Sequence, residues 1–396
     1  MVAPDSKIEN APEFKAKTLD STSHRPRAIR ARLLVISIIL AILLAANWLV
    51  VATWNYFCGT LSMGWQIIPF VLTITFVATM FLSLRYSNAG LRLAYRASVI
   101  WLGVLNFAFF AAYAVWIFFA IAEWFTFHVD QQFMGMTFFG MAILVSIYGL
   151  VNANRLRTTR ITIKLPHLPR EWQGRNVALV TDLHLGNVRG EGYSRRVVAR
   201  LQRLQPDAVF ISGDLFDGTR ANLDAFVAPW KELSAPEGIY FVTGNHEEFT
   251  DRSKYLDAVK SVGIRVLHNE KVDVRGLQII GVHDGEAHDP QLYRALLRQM
   301  DLDKNRASIL LAHQPSNLAI AEEAGVSLQL SGHTHGGQIW PWTWLAAQVH
   351  GRFIHGLNRL GELLVYTSNG TGTWGVPMRV GTRSEIVLIR LESQEI

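Results

Sequence analysis

The sequence predicts a four-helix transmembrane region followed by an α/β domain, and three observations carry that expectation. Four long apolar stretches crowd the first 154 of the 396 residues. Lys and Arg gather on alternate sides of those stretches. From residue 155 onward, short apolar β-branched runs alternate with segments of helical periodicity, which reads as one domain running to residue 396 with a core of its own.

Residues 1 to 32 are polar, carry seven basic side chains (Lys7, Lys15, Lys17, Arg25, Arg27, Arg30, Arg32) and show no packing pattern, so a disordered basic tail is expected there. Between residues 33 and 154 the apolar stretches run from about Leu33 to Trp54, Trp65 to Leu84, Val99 to Phe119 and Met134 to Asn152. Each approaches the roughly 20 residues that a helix needs to cross a bilayer. A core helix of a soluble protein would show a polar face at helical spacing, and "LLVISIILAILLAANWLVV" shows none. The first stretch is too long for a cleaved signal peptide and is closed by no small-residue cleavage site.

Arg85, Arg92 and Arg96 lie between the second and third stretches, and Arg155, Arg157, Arg160 and Lys164 follow the fourth. The loops at 55–64 and 120–133 contain neither Lys nor Arg. The positive-inside rule therefore puts both termini and the C-terminal domain in the cytoplasm, with the chain integral to the inner or plasma membrane. The formal net charge of +6 follows from arginines flanking apolar runs, so membrane lipids rather than nucleic acid are the expected partners. Trp48, Trp54, Trp65, Trp101 and Trp124 stand near the span ends, where they fit interfacial anchoring or, equally, packing within an apolar run. Asn47 and Asn106 are polar exceptions within the spans, but no charged residue marks a transport path. The single cysteine, Cys58, falls in an expected external loop and permits neither an internal disulfide nor a thiolate metal site.

In the C-terminal domain, "ITIKLP" reads as a short strand. Five apolar runs follow, each ending in a polar turn: "NVALVTDLHLG" (176–186), "DAVFISGDLFDG" (207–218), "GIYFVTGNHEE" (238–248), "ASILLAHQP" (307–315) and "VSLQLSGHTHGGQ" (326–338). Helical periodicity covers Ser194 to Leu204, Asn222 to Leu233, Ser253 to Val262 and Pro290 to Met300. Every residue able to bind a metal in these turns then lies just past a strand's C-terminal end, where the loops of an α/β sheet gather.

Asp182 and His184 are spaced i, i+2, as are His333 and His335, and an extended strand end would turn both members of each pair to one side. With Asp214, Asn245 and His313 they make seven oxygen or nitrogen ligands, more than one ion takes from protein, and a carboxylate can bridge two ions. A binuclear centre is expected, its two cations about 3.5 to 4 Å apart and suited to clamping both oxygens of an in-line displacement. Two aspartates leave two divalent ions with net positive charge, which a phosphate ester needs. Gly213, Gly244, Gly332, Gly336 and Gly337 beside the ligands would let backbone approach without a Cβ in the way.

In order, D-x-H, G-D-x-x-D, G-N-H-E, a lone H and G-H-T-H resemble the calcineurin-like metallophosphoesterase family over about residues 170 to 392. "GHTHGGQ" and "SNGTGTWGVPMRVGTRSEI" resemble a subgroup of membrane-associated bacterial phosphoesterases and the animal transmembrane protein with a metallophosphoesterase domain. That resemblance implies a four-layer α-β-β-α sandwich with the metals at one edge. It implies Asp182, His184 and His335 on a first metal, Asn245, His313 and His333 on a second, and Asp214 bridging. His246 would be the catalytic histidine that binds no metal, stabilising phosphoryl oxygens or protonating the leaving group, and Glu247 fits the acidic position after it. The metals implied are Mn foremost, with Fe, Zn and Ni open. Some members of the subgroup cleave the pyrophosphate of UDP-2,3-diacylglucosamine in lipid A assembly, which makes it the leading specific substrate; a broad phosphodiesterase or phosphomonoesterase is the enzymatic alternative. A membrane sensor with the esterase fold as output or protein-binding scaffold is the reading from a different class.

Outside the motifs, His268, His283, His288, His350 and His355 are given no metal role. Asp217 is expected to be a turn or supporting residue, and Thr334 to orient its loop. Trp340, Trp342 and Trp344 alternate, and Pro341 requires any regular helix to start at that point. Either ordinary packing or a dip toward the membrane would explain them. Arg352 and Arg379 are candidates for contacting a phosphate, on charge alone.

Overall fold

The computed structural model describes residues 25–219 and 222–394, and for residues 25–32 the backbone alone. Four helices long and apolar enough to cross a membrane open it: α1 Arg25–Phe57, α2 Met63–Leu82, α3 Ala89–Trp124 and α4 Gln131–Asn154. The tail expected to be disordered lies outside the described residues as far as residue 24. From Arg25 the backbone is already helical, well before the expected span start at Leu33. At α3 the Asn88 side chain accepts the backbone N–H of Leu91, so the helix begins with the basic segment ahead of Val99; Asp130 caps α4 through the N–H of Phe133.

Polar groups between the spans are satisfied by one another. Buried Asn47 donates to the Leu43 carbonyl and to Thr73 Oγ1, each at 2.8 Å, and accepts from Trp101 Nε1 at 3.2 Å, joining α1, α2 and α3. Trp101 is thus a partner inside the bundle rather than an interfacial anchor, and Trp54 packs on Phe139 with ring centroids 5.2 Å apart. Trp48, Trp65 and Trp124 are exposed, as anchors would be. Cys58 is buried rather than in an open loop, because its N–H continues the α1 turn to the Trp54 carbonyl and its sulfur packs on Gly135 of α4.

The remaining described residues form twelve strands: β1 Arg157–Leu165, β2 Asn176–Val180, β3 Ala208–Ser212, β4 Ile239–Val242, β5 Arg265–Val266, β6 Glu270–Val274, β7 Leu277–Gly281, β8 Ser308–Leu311, β9 Leu328–Ser331, β10 Gly356–Leu360, β11 Leu363–Thr367 and β12 Glu385–Ser393. Eight helices are interspersed: α5 Glu191–Leu204, α6 Leu223–Val227, α7 Asn245–Glu248, α8 Ser253–Lys260, α9 Asp284–His288, α10 Pro290–Gln299, α11 Leu318–Glu323 and α12 Trp342–His350. The helix expected over Asn222 to Leu233 divides into α6 and a 3₁₀ turn, Ala228–Glu232, because Pro229 removes a donor.

Two six-stranded sheets result, ordered β1-β12-β2-β3-β4-β5 and β10-β11-β9-β8-β7-β6. Alternation along each strand sets the layers. Val177 and Leu179 of β2 join Phe210, Ile279, Ile309 and Leu330 in the core between the sheets, whereas Ala178 and Val180 turn outward against α5 and α8. On the far side, Ile280, Leu310 and Val365 pack against α10 and α11. The expected α-β-β-α sandwich is the observed architecture.

The bundle is bolted to this sandwich through residues 376–384. Met378 is fully buried among α3 and α4 residues, facing Gly103 and Gly149, and Ile339 joins the same cluster. Asn152 donates to the carbonyls of Arg379 and Thr382, both at 2.9 Å, and the Arg379 N–H returns a bond to the Gly149 carbonyl at 3.0 Å. A Cβ at Gly103 would stand 2.5 Å from the Met378 sulfur and 2.8 Å from Val376. Gly103→Leu should therefore lower the Tm of the detergent-purified protein, by overpacking of about 1–3 kcal/mol. Gly140→Leu, at an α4 position with nothing within 4 Å, should leave the Tm in place.

Candidate metal centre

The ends of β2, β3 and β4 in one sheet and of β8 and β9 in the other deliver their turns to one place. Asp182 and His184 follow β2, Asp214 follows β3, Asn245 follows β4, His313 follows β8, and His333 and His335 follow β9. All seven predicted ligands are brought together, but by a different route from the one expected. The backbones of Asp182, His184, Asp214, His333 and His335 are left-handed, with φ of 54°, 49°, 49°, 69° and 50°, so strand alternation does not aim the pairs. Non-glycine residues with positive φ cost free energy, which the flanking sheets must hold in place.

Asp182 Oδ1 lies 3.5 Å from His335 Nε2 and 3.9 Å from His184 Nε2, and those two ring nitrogens face each other at 3.0 Å. Asp214 Oδ2 lies 3.2 Å from His313 Nε2 and 3.7 Å from His184 Nε2. Its Oδ1 accepts the His246 N–H at 2.9 Å, leaving Oδ2 directed between the two groups. Asn245 Oδ1 is 2.9 Å from His333 Nδ1. Ligand-capable atoms thus converge in overlapping sets, Asp182–His184–His335 and Asp214–His313–His333, with a third of His184, Asp214 and His246.

Surrounding bonds fix the orientation of these groups. His313 Nδ1–H donates to the Ser212 carbonyl at 2.8 Å, which reserves Nε2 for the centre. Thr181 Oγ1 donates to Asp182 Oδ2 at 2.8 Å, and the His333 N–H also binds that carboxylate. Buried Glu247 accepts the N–H groups of Asp214, Phe216 and Gly244, tying the β3 turn to the β4 turn. A Cβ at Gly213 would sit 2.6 Å from His313 Nδ1 and 2.7 Å from the Gly244 Cα, so only glycine lets these turns meet.

Burial holds the His184, His333 and His335 imidazoles below the ordinary histidine range, His333 down to about 3. At His313 burial acts in the same direction, yet the Asp214 and Asp182 carboxylates outweigh it and raise that ring well above its usual value. Burial likewise lifts Asp182 to about 6, and burial with the nearby Asp214 lifts Glu247 to about 8 despite its three N–H donors. Asp214 is also pushed up by burial, but His313, His184 and His246 draw it below the carboxylate range. Imidazoles, carboxylates and an amide oxygen, closely spaced and largely buried, are a donor set that fits divalent ions of intermediate softness.

His246 stands beside the cluster, its ring 4.6 Å from that of His184, and its Nδ1–H donates to the Asp217 carbonyl at 2.9 Å. Asp217 is the turn residue expected, accepting from Asn187 and Thr219, and Thr334 orients its loop by donating to the Ile354 carbonyl and accepting from Gly336. Two exposed aromatics not singled out in the sequence flank His246: Phe249 at 4.6 Å and Trp374 at 6.2 Å between ring centroids. Position next to G-N-H-E and inside "GTGTWGVP" was their only signal. Of the histidines outside the motifs, His350 comes near, 6.4 Å from the His333 ring.

Arg379 is placed otherwise than its charge suggested. It is fully buried and donates to the carbonyls of His335, Asn369 and Gly372 and to Thr382 Oγ1, with its Nη2 3.2 Å from His335 Nδ1. Burial and the neighbouring Arg189 lower it to about 10, so it remains a cation at neutral pH. Its donors are consumed by backbone, and it holds the His335 loop rather than a phosphate. Arg352 is exposed and lies over the Phe353 ring at 5.0 Å.

Residues 175–337 match the profile of the calcineurin-like phosphoesterases. An uncharacterized metallophosphoesterase of Aquifex aeolicus is 30% identical over 262 residues, which cover 64% of this chain and 98% of that protein. The chain belongs to the calcineurin-like metallophosphoesterase family. An uncharacterized metallophosphoesterase of Campylobacter jejuni is 33% identical over 63% of this chain and 67% of its own. The Danio rerio transmembrane protein with metallophosphoesterase domain is 35% identical over 63% of this chain and 60% of its own length, so this metallophosphoesterase spans three fifths of that relative. Its family membership thus comes with four helices that are long and apolar enough to cross a membrane.

If Arg379 is a scaffold of this centre, Arg379→Met should strand buried carbonyls at about 1–3 kcal/mol each and lower both Tm and bound metal per chain. A raised KM with unchanged Tm would return Arg379 to phosphate binding.

Proposed function

We propose that this metallophosphoesterase is a binuclear-metal-dependent hydrolase that acts, beneath the cytoplasmic leaflet, on the phosphodiester or pyrophosphate bond of a lipid-linked substrate. The observation that carries the reading is the clustering of seven ligand-capable side chains in overlapping groups, with Asp214 Oδ2 between His184 and His313.

In this reading Asp182, His184 and His335 hold one ion, Asn245, His313 and His333 hold the other, and Asp214 is shared. When bound, the ions supply positive charge for the phosphoryl oxygens and acidify a water for attack. The Asp217 carbonyl fixes His246 through Nδ1–H, leaving Nε2 to meet a phosphoryl oxygen and hold a proton for the leaving oxygen. Exposed Phe249 and Trp374 beside His246 give the mouth an apolar rim suited to an amphiphile. The basic residues around the spans support the cytoplasmic side. UDP-2,3-diacylglucosamine, from the lipid A pathway, has the required chemistry, and Mn²⁺ is the metal to supply first.

Detergent-purified protein with Mn²⁺ should hydrolyse bis(p-nitrophenyl) phosphate, and UDP-2,3-diacylglucosamine faster. Asp214→Asn should reduce both rates by about a hundredfold or more, since loss of even an outer partner of a metal ligand typically costs 10–100-fold. His246→Ala should lower kcat while bound metal is retained. Stoichiometric metal without turnover of either substrate would instead favour the sensor or scaffold reading.

A further inference from the structure

From the structure we infer that residues 339–350, ending in α12, are embedded in the lipid leaflet that adjoins the catalytic domain, and form the surface along which a lipid-borne phosphoester reaches the metal centre. The delivery half of this inference rests on the function proposed above; the insertion half does not.

The segment leaves the centre at once. His335, Gly336 and Gly337 form a 3₁₀ turn, and Ile339 is already buried among α3 and α4 residues. Trp340 then lies against α3, its ring centroid 5.4 Å from that of Phe110. Asn106 donates to the Trp340 carbonyl at 3.2 Å and accepts from Trp342 Nε1 at 3.0 Å. Asn106 and Phe110 both stand well inside the uncharged run of α3 from Ala97 to Ala122. Any bilayer that covers that run also covers what packs against its outer side.

The local chemistry suits an apolar surrounding. No Lys, Arg, Asp or Glu occurs between His335 and Arg352. Non-helical backbone tolerates lipid only where its polar groups are satisfied. The Trp340 N–H binds the Val380 carbonyl at 2.9 Å, the Trp340 carbonyl takes Asn106, and the Trp344 N–H closes on the Pro341 carbonyl at 2.9 Å. Asn106, an isolated polar residue in a span, is thereby consumed at both ends.

α12 itself has no buried side chain, and Trp342, Trp344, Leu345 and Val349 are 54%, 66%, 47% and 73% exposed. Such a surface, continuous with a membrane-crossing helix, is covered by lipid rather than water. The helix also spans the required gap: its first turn touches α3, and its last residue, His350, has its ring 6.4 Å from that of the proposed ligand His333. A headgroup at the interface and a phosphoester at the centre are then neighbours.

Insertion is read without turnover by placing single cysteines at Trp344→Cys and Val349→Cys in a Cys58→Ala full-length chain and labelling each with the fluorophore NBD. The labelled protein is reconstituted in phosphatidylethanolamine–phosphatidylglycerol vesicles with and without 5-doxyl lipid. Both labels should lose about half their emission or more to the doxyl lipid, as expected 5–10 Å below the headgroups, whereas a label at Lys254→Cys, an exposed position on α8, should not. Equal, weak quenching at all three sites overturns the insertion, as does a blue-shifted signal that ignores doxyl lipid and falls on dilution of the protein in the bilayer, which means a second copy covers α12.

Delivery is read by Trp344→Ser combined with Val349→Ser. The ratio of vesicle-borne to soluble phosphodiester turnover should fall about tenfold, equivalent to about 1.4 kcal/mol. Quenching with no hydrolysis by the unsubstituted protein would sink the proposed function and leave insertion standing; hydrolysis with an unchanged ratio would sink delivery alone.

Discussion

One buried guanidinium, that of Arg379, joins the parts of this molecule that must act together. Its side chain binds the carbonyls of the His335 loop and of residues 369 and 372, while its own backbone is gripped by Gly149 and Asn152 at the end of α4. A charge taken out of water is tolerated only when its donors are used, and the donors of Arg379 are used on loops that would otherwise splay. Arg189 supports the same joint from the other side, donating to Thr373 and to the Ala153 carbonyl and lying 4.2 Å over the Tyr193 ring. The final turn of the four-helix bundle is therefore part of the foundation of the candidate metal centre.

The centre also depends on the two sheets being in register with each other. Ligand-bearing turns come from both sheets, so a slip between layers would separate Asp214 from His313. Two bonds across the layers prevent this near the site: Ser212 Oγ donates to the Leu330 carbonyl at 2.9 Å, and His313 donates to the Ser212 carbonyl at 2.8 Å. The rigid frame sustains left-handed backbone at five of the seven clustered residues. Strain of that kind persists only where surrounding structure over-determines it.

This division explains what could be read from the sequence. The spans, the strands ahead of each motif and the convergence of Asp182, His184, Asp214, Asn245, His313, His333 and His335 were legible because apolar runs and the turns closing them are local features. The backbone that aims those residues was not legible, since positive φ at an aspartate or histidine has no composition signal. Arg379 was misread for a related reason: charge identifies a residue that must be paired, but not whether phosphate or backbone pairs it. Strands β10 to β12 end in no ligand-bearing turn, and although β10 and β11 form a local hairpin, β12 is partnered at long range with β1 and β2, so none of the three was singled out.

Asn106 carries the last step. As a lone amide in an uncharged helix it had no interpretation, and as a partner of Trp340 and Trp342 it becomes the point where a span and a catalytic loop share polar groups. The same helix meets the catalytic domain again lower down, where Arg96 donates to the Asn187 carbonyl at 2.7 Å, in the turn that follows the His184 motif. α3 thus touches the extensions of two ligand turns, one behind His184 and one behind His335. A tilt of α3 would move both. Two spans therefore hold the centre, α4 through Arg379 and α3 through Asn187 and the Trp340 segment.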